Sequence, residues 1–137
     1  MRQQGILDTG PLVAMLKKDD ELHFWAADAI SQSEPPFYTC ESVLSEACFL
    51  LRALPTGPER VMELLHRGWL EIPFRLSDEA PRVYALIRRY ADVPMSLADA
   101  CLVRMAEQYE GSVILTHDSD FRIYRIHGRK AITLAMP

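Results

Sequence analysis

The apolar positions change period repeatedly along the chain, and each change marks an element. Gly5-Ile6-Leu7 is a short apolar run that stops at Asp8. Thr9 to Lys18 follows with Gly-Pro punctuation and helical apolar spacing, so a strand passes directly into a helix. Residues 21–32 read as a second helix. Pro35-Pro36 then introduces Phe37-Tyr38-Thr39-Cys40, a short strand. A helical pattern runs from Glu41 to Leu54, breaks at Pro55-Thr56-Gly57-Pro58 and resumes from Glu59 to Gly68. Trp69 to Phe74 fits a strand with Pro73 at its end. Ser77-Asp78-Glu79 is expected to cap a helix through Asp92, and Ser96 to open another that closes at Gly111. Val113-Ile114-Leu115 is apolar without alternation, as in a strand covered on both faces. Lys130 to Met136 reads as one more strand. Strands alternating with helices predict an α/β fold around a parallel sheet. With no repeat, low-complexity tract or linker, residues 1–137 are expected to form a single domain.

The acids fall at particular places in this pattern. Ligands of open parallel sheets bind beyond the carboxyl ends of the strands, and Asp8 and Asp118 both follow strand ends. Two more acids sit beside apolar stripes of helices. Glu46 flanks the stripe of Val43, Leu44, Ala47, Cys48, Leu51 and Leu54, about 115° from its centre, and Asp99 stands similarly beside Leu97, Ala98, Cys101, Leu102, Met105 and Tyr109. A first-turn acid also favours the helix macrodipole, which by itself accounts for an acid at position 99.

Composition narrows the class. At 137 residues, 49% hydrophobic and 25% charged, the chain is that of an ordinary globular protein, with no apolar run of transmembrane length. No secretory h-region precedes Asp8, and Cys40, Cys48 and Cys101 lack CxxC spacing. The cysteines read as small buried hydrophobes in a reducing compartment, and the expected location is cytoplasmic. A net charge of −4 excludes nucleic-acid binding through a global positive field. It leaves room for a local patch: Arg122, Arg125, Arg129 and Lys130 follow Asp118 closely.

The blocks "ILDTGPLVAML", "ESVLSEACFLL", "SLADACLVRMAE" and "ILTHDSDF", in this order and separation, resemble the four acidic blocks of the PIN-domain nucleases, and most closely the VapC-type toxin ribonucleases. The likeness runs from Gly5 to Pro137. It implies a three-layer αβα fold with a central parallel sheet of about five strands, and divalent-metal-dependent RNA cleavage. For the toxin branch it also implies a cognate antitoxin and a homodimer. Residue by residue, the family's acids match Asp8, Glu46, Asp99 and Asp118, which makes these four the candidate catalytic and metal-binding residues. Thr9, Ser96 and Thr116 match the hydroxyl residues beside them, and Asp120 is an accessory acid that either ligates through water or caps the turn.

The chemistry needs such a set. Carboxylates gathered within several ångströms repel one another, and a divalent cation removes that cost. Oxygen donors without Cys or His at ligand spacing favour Mg²⁺ or Mn²⁺ over zinc. Asp8, Asp99 and Asp118 are the leading ligands, while Glu46 either completes a second metal site or positions the attacking water. Thr9, Ser96 and Thr116 would orient them by hydrogen bonds. Arg122 and Arg125 are candidate RNA contacts, and His117, inside the motif, either touches substrate or, the favoured reading, is filler or a surface residue. A receiver domain would need an acidic pair after the first strand, where Thr9-Gly10-Pro11 stands instead. A DxD phosphatase would carry its motif there, not after a late strand. Two further alternatives are a non-catalytic PIN-like binding module and a housekeeping PIN nuclease.

Overall fold

The computed structural model describes residues 3–137. Its centre is a five-stranded, all-parallel sheet: β1 (Gly5–Leu7), β2 (Phe37–Tyr38), β3 (Leu70–Glu71), β4 (Val113–Leu115) and β7 (Leu134–Ala135), in the order β3-β2-β1-β4-β7. Six helices flank it: α1 (Thr9–Leu16), α2 (His23–Ser31), α3 (Glu41–Leu50), α4 (Gly57–His66), α5 (Leu76–Arg89) and α6 (Leu97–Gln108). This is the expected three-layer αβα arrangement. The central strands read as unbroken apolar runs because both faces are covered: every residue of β1 and β4 is buried, and Ile6 pairs with Ile114. One core cluster extends from Ile6 to Ile132.

The strand order sets the place of the site. The chain lays down β1, β2 and β3 in one direction, then returns to put β4 and β7 on the other side of β1. The order therefore reverses between β1 and β4, and in open α/β sheets the crevice at such a reversal is the ligand site. Asp8 stands at that junction, its amide donating to the Leu115 carbonyl at 3.0 Å.

Three expectations need correction. α5 begins at Leu76 with Arg75 as N-cap and no side-chain cap bond, so Ser77, Asp78 and Glu79 lie in the first turn. There Asp78 meets the Arg75 guanidinium at 3.0 Å and both acids favour the helix N-terminus. α3 stops at Leu50, where the chain turns before Pro55 can continue the pattern. The 130–136 run forms two strands in two sheets. β6 (Lys130–Ala131) pairs antiparallel with β5 (Arg125–Ile126), while β7 alone joins the parallel sheet beside β4. The hairpin turns through His127 and Gly128, both at positive φ. Gly111, at φ +81°, takes the chain from the end of α6 toward β4 as expected.

Candidate active site

α1 starts where β1 ends, and the two share Asp8. Its carboxylate is the N-cap of α1: Oδ1 accepts from the Thr9 amide at 2.8 Å. Oδ2 accepts from the Thr116 hydroxyl at 2.7 Å, across the junction from β4. The same hydroxyl oxygen accepts the Asp118 amide at 3.0 Å. Thr116, fully buried, thus ties the acid after β1 to the acid after β4.

Asp118 caps a 3-10 turn (Ser119–Arg122), its Oδ1 accepting from the Asp120 amide at 2.9 Å. The turn cap is therefore Asp118, which removes that role from Asp120. The Asp120 carboxylate instead lines the cleft.

Asp99 comes from α6. Ser96 and Asp99 form a capping box, the Ser96 hydroxyl accepting from the Asp99 amide at 3.0 Å and the Ser96 amide donating to Asp99 Oδ2 at 3.4 Å. The same Oδ2 takes a hydrogen bond from the Tyr124 hydroxyl at 2.9 Å. Tyr124 is fully buried, with its ring edge-on to both Tyr90 and Phe121. Glu46 reaches in from α3, Oε2 accepting from the Thr9 hydroxyl at 3.3 Å.

These acids line one cleft of about 560 Å³ at the sheet reversal, together with Thr9, Ser96 and Asp120. Asp8, Glu46, Asp99 and Asp118, dispersed over 110 positions of sequence, are all present. Burial pushes the Asp8 carboxyl up to about 6, against the hydrogen bonds from Thr116 and Thr9 and with the help of Asp99 and Asp118. Asp99 is raised as well, first by burial, opposed by its bonds from Tyr124 and Ser96. In both acids burial is the larger cause and the neighbouring carboxylates add to it.

Its donors are carboxylate and hydroxyl oxygens, the set that suits a hard divalent cation. Among the described residues, no three His, Cys, Asp or Glu side chains are already drawn into a ready-made cage. A cation here would complete its shell with water or substrate oxygen, as Mg²⁺ does. His117 also borders the cleft, its ring seated over Gly10, where a β-carbon would run into the imidazole. It packs on the start of α1 while staying exposed at the cleft.

The basic segment does not gather at the acids. Arg125 spends Nη1 on the backbone carbonyls of Arg122, Ile123 and Tyr124, at 2.7, 3.2 and 2.9 Å. Arg129 and Lys130 line a different depression with Gly111, Ser112 and Thr133, the residues that lead into β4 and β7, so they lie at the opposite edge of the parallel sheet. Arg122 is exposed on the 3-10 turn and is not among the cleft-lining residues. The cation that does line the cleft is Lys17, joined by Asp20. Sequence reading missed Lys17, Asp20 and Tyr124. For Lys17 the signal was present: Gly10, Val13 and Lys17 are spaced as one helical stripe, and all three border the cleft.

Among the described residues, no helix is long and apolar enough to cross a membrane. A family model described as PIN domain matches residues 5–126. No curated protein matches the chain.

Proposed function

Because the chain belongs to the PIN domain family, whose members are generally nucleases, we propose that it is a divalent-metal-dependent endoribonuclease and the toxin of a toxin–antitoxin pair of the VapC type. The observation that carries the nuclease reading is the convergence of Asp8, Glu46, Asp99 and Asp118 in one cleft, with Asp8 held up at about 6 by burial and by its neighbours. Such a cluster is costly without a counter-charge, and hydrolysis of a phosphodiester needs one.

Asp8, Asp99 and Asp118 would hold Mg²⁺ or Mn²⁺. The ion, when bound, supplies a Lewis acid that lowers the pKa of water and offsets charge at the phosphate. The protein's own part is orientation. Thr116 fixes the Asp8 carboxylate and the Asp118 backbone together, while Ser96 and Tyr124 fix Asp99. Glu46, exposed at the rim and held only by Thr9, is free to position the attacking water or to join a second ion. In the net reaction, water adds to phosphorus as the P–O bond to the leaving strand breaks, and the leaving oxygen takes up a proton.

The toxin assignment rests on the sequence likeness of the four acidic blocks. A cognate antitoxin and a second copy of the chain are the proposed partners, and the cytoplasm the proposed location. Phe24, Phe49 and Met62, each at least half exposed, offer apolar surface for such contacts.

The test is cleavage of single-stranded RNA by the purified protein in Mg²⁺ or Mn²⁺, with EDTA, Asp8→Asn and Asp99→Asn as controls. Cleavage is expected only from the wild type with metal; wild-type rates in either variant would refute the assignment. Mapping RNA 5′ ends after expression in cells, beside Asp8→Asn, identifies the target and separates a toxin from a housekeeping nuclease.

A further inference from the structure

The cleft does not end at the acids. It follows α1 past Val13 to Lys17, and Lys17 also lines a second depression of about 300 Å³ with Lys18, Asp19, Leu54, Pro55 and Arg60. The two depressions thus adjoin at one lysine. From Gly10 to Lys17 the helix rise covers about 10 Å, a separation that suits Lys17 to a phosphate neighbouring the one held by the acids on the same strand. Among the described residues neither Lys17 nor Lys18 has an ion-pair partner, and Arg60 donates to the Leu16 carbonyl at 3.2 Å, which sets it on the same rim. Three cations face one acid, Asp19, in this trough. Asp20, at the cleft side, has its Oδ1 taken by the Leu22 amide.

We propose that a single-stranded RNA substrate leaves the acid cluster along α1 and enters this trough, where Lys17, with Lys18 and Arg60, binds the phosphates flanking the scissile one. The inference rests on the nuclease reading given above and names the path of its substrate. A polyanion approaching a cleft rich in carboxylates needs positive charge at its rim; Arg129 and Lys130 are at the other edge of the sheet, Arg125 is bonded to backbone, and Arg122, exposed on the 3-10 turn, does not line the cleft. The trough is the basic surface continuous with the site. Leu54 and Pro55 add apolar surface on which bases can rest.

The simpler role for these lysines is to offset the negative end of the α1 dipole. Binding and kinetics separate the two. In the cleavage-deficient Asp8→Asn protein, affinity for a fluorescein-labelled single-stranded RNA is measured across a salt series by anisotropy. Lys17→Gln with Lys18→Gln is expected to weaken binding several-fold and to flatten the plot of log affinity against log salt by about 0.7 per lysine. Arg129→Gln with Lys130→Gln is expected to leave both unchanged. In the otherwise wild-type enzyme, Lys17→Gln should raise KM and keep kcat. An unchanged salt slope in the Lys17/Lys18 variant, or an equal loss in the Arg129/Lys130 variant, overturns the proposed path. Absence of cleavage by the wild type would refute the nuclease reading, while the binding series still decides whether the trough holds RNA.

Discussion

Asp8 shows how much of the site's behaviour is settled by one side chain. Its folded pKa, about 6, lies above the ordinary aspartate value of 3.8, and burial is the main cause. Between those values the native state binds the proton that the unfolded chain has released, so stability falls as pH rises through this window and stays lower above it. The shift corresponds to roughly 3 kcal/mol. Asp8→Asn removes the ionisation, a gain of roughly 3 kcal/mol at pH 7, and keeps a side-chain oxygen for the Thr9 amide. That gain outweighs the roughly 1 kcal/mol bond lost where Nδ2 can no longer accept the Thr116 hydroxyl. The metal-free variant is therefore expected to be more stable than wild type at pH 7, with the difference shrinking toward pH 4. Urea denaturation at several pH values in EDTA measures this, and a constant difference between the two proteins would contradict it. Thr116→Val acts in the other direction. The Thr116 bond lowers the Asp8 pKa, so its loss raises it further, leaves the Asp118 amide without its acceptor, and is expected to cut metal affinity about tenfold or more. Isothermal titration with Mn²⁺ tests it.

At the scale of elements, α6 and the 3-10 turn carry the site's geometry. Ser96→Ala removes the capping box and should cost about 1 kcal/mol, read from the denaturation midpoint. Tyr124→Phe keeps the ring contacts with Tyr90 and Phe121 and loses only the bond to Asp99. Its expected cost is about 1–3 kcal/mol, with weaker metal binding because the Asp99 pKa rises. The Ser96 cap and the central strands were legible because their signals are local: a Ser three residues before an Asp, and an unbroken apolar run. Asp8 and Asp118 were legible because each follows a strand end, and Glu46 and Asp99 because each flanks the apolar stripe of a helix. Tyr124 was not, since its partner lies 25 residues earlier and only tertiary packing brings them together. β5, and the split of the 130–136 run into β6 and β7, were missed for a similar reason. Arg125-Ile126 stands in no apolar run that would mark a strand, and the hairpin exists because positive φ at His127 and Gly128 folds the chain back. Arg125 reads as a basic surface residue in sequence, whereas three backbone carbonyls occupy its Nη1.

For the molecule as a whole, the sheet reversal concentrates acid at one edge of a chain whose net charge is already −4, so the native state should gain stability from a cation that the unfolded chain does not bind. The gain at a metal concentration 100 times the dissociation constant is about 2.7 kcal/mol. For a domain of this length that converts to a rise in melting temperature of about 10 °C. The cation must displace the proton on Asp8, so the rise should be larger at pH 7.5 than at pH 5.5, on either side of the Asp8 pKa of about 6. Calcium-free protein with millimolar Mg²⁺ or Mn²⁺, melted beside Asp8→Asn, makes the measurement. The wild type should shift and the variant should not, even though the variant starts from a higher metal-free melting temperature. That opposite ordering is what distinguishes a metal centre from a cluster of acids kept for structure: a structural Asp8 would lose stability on substitution and leave the metal response intact.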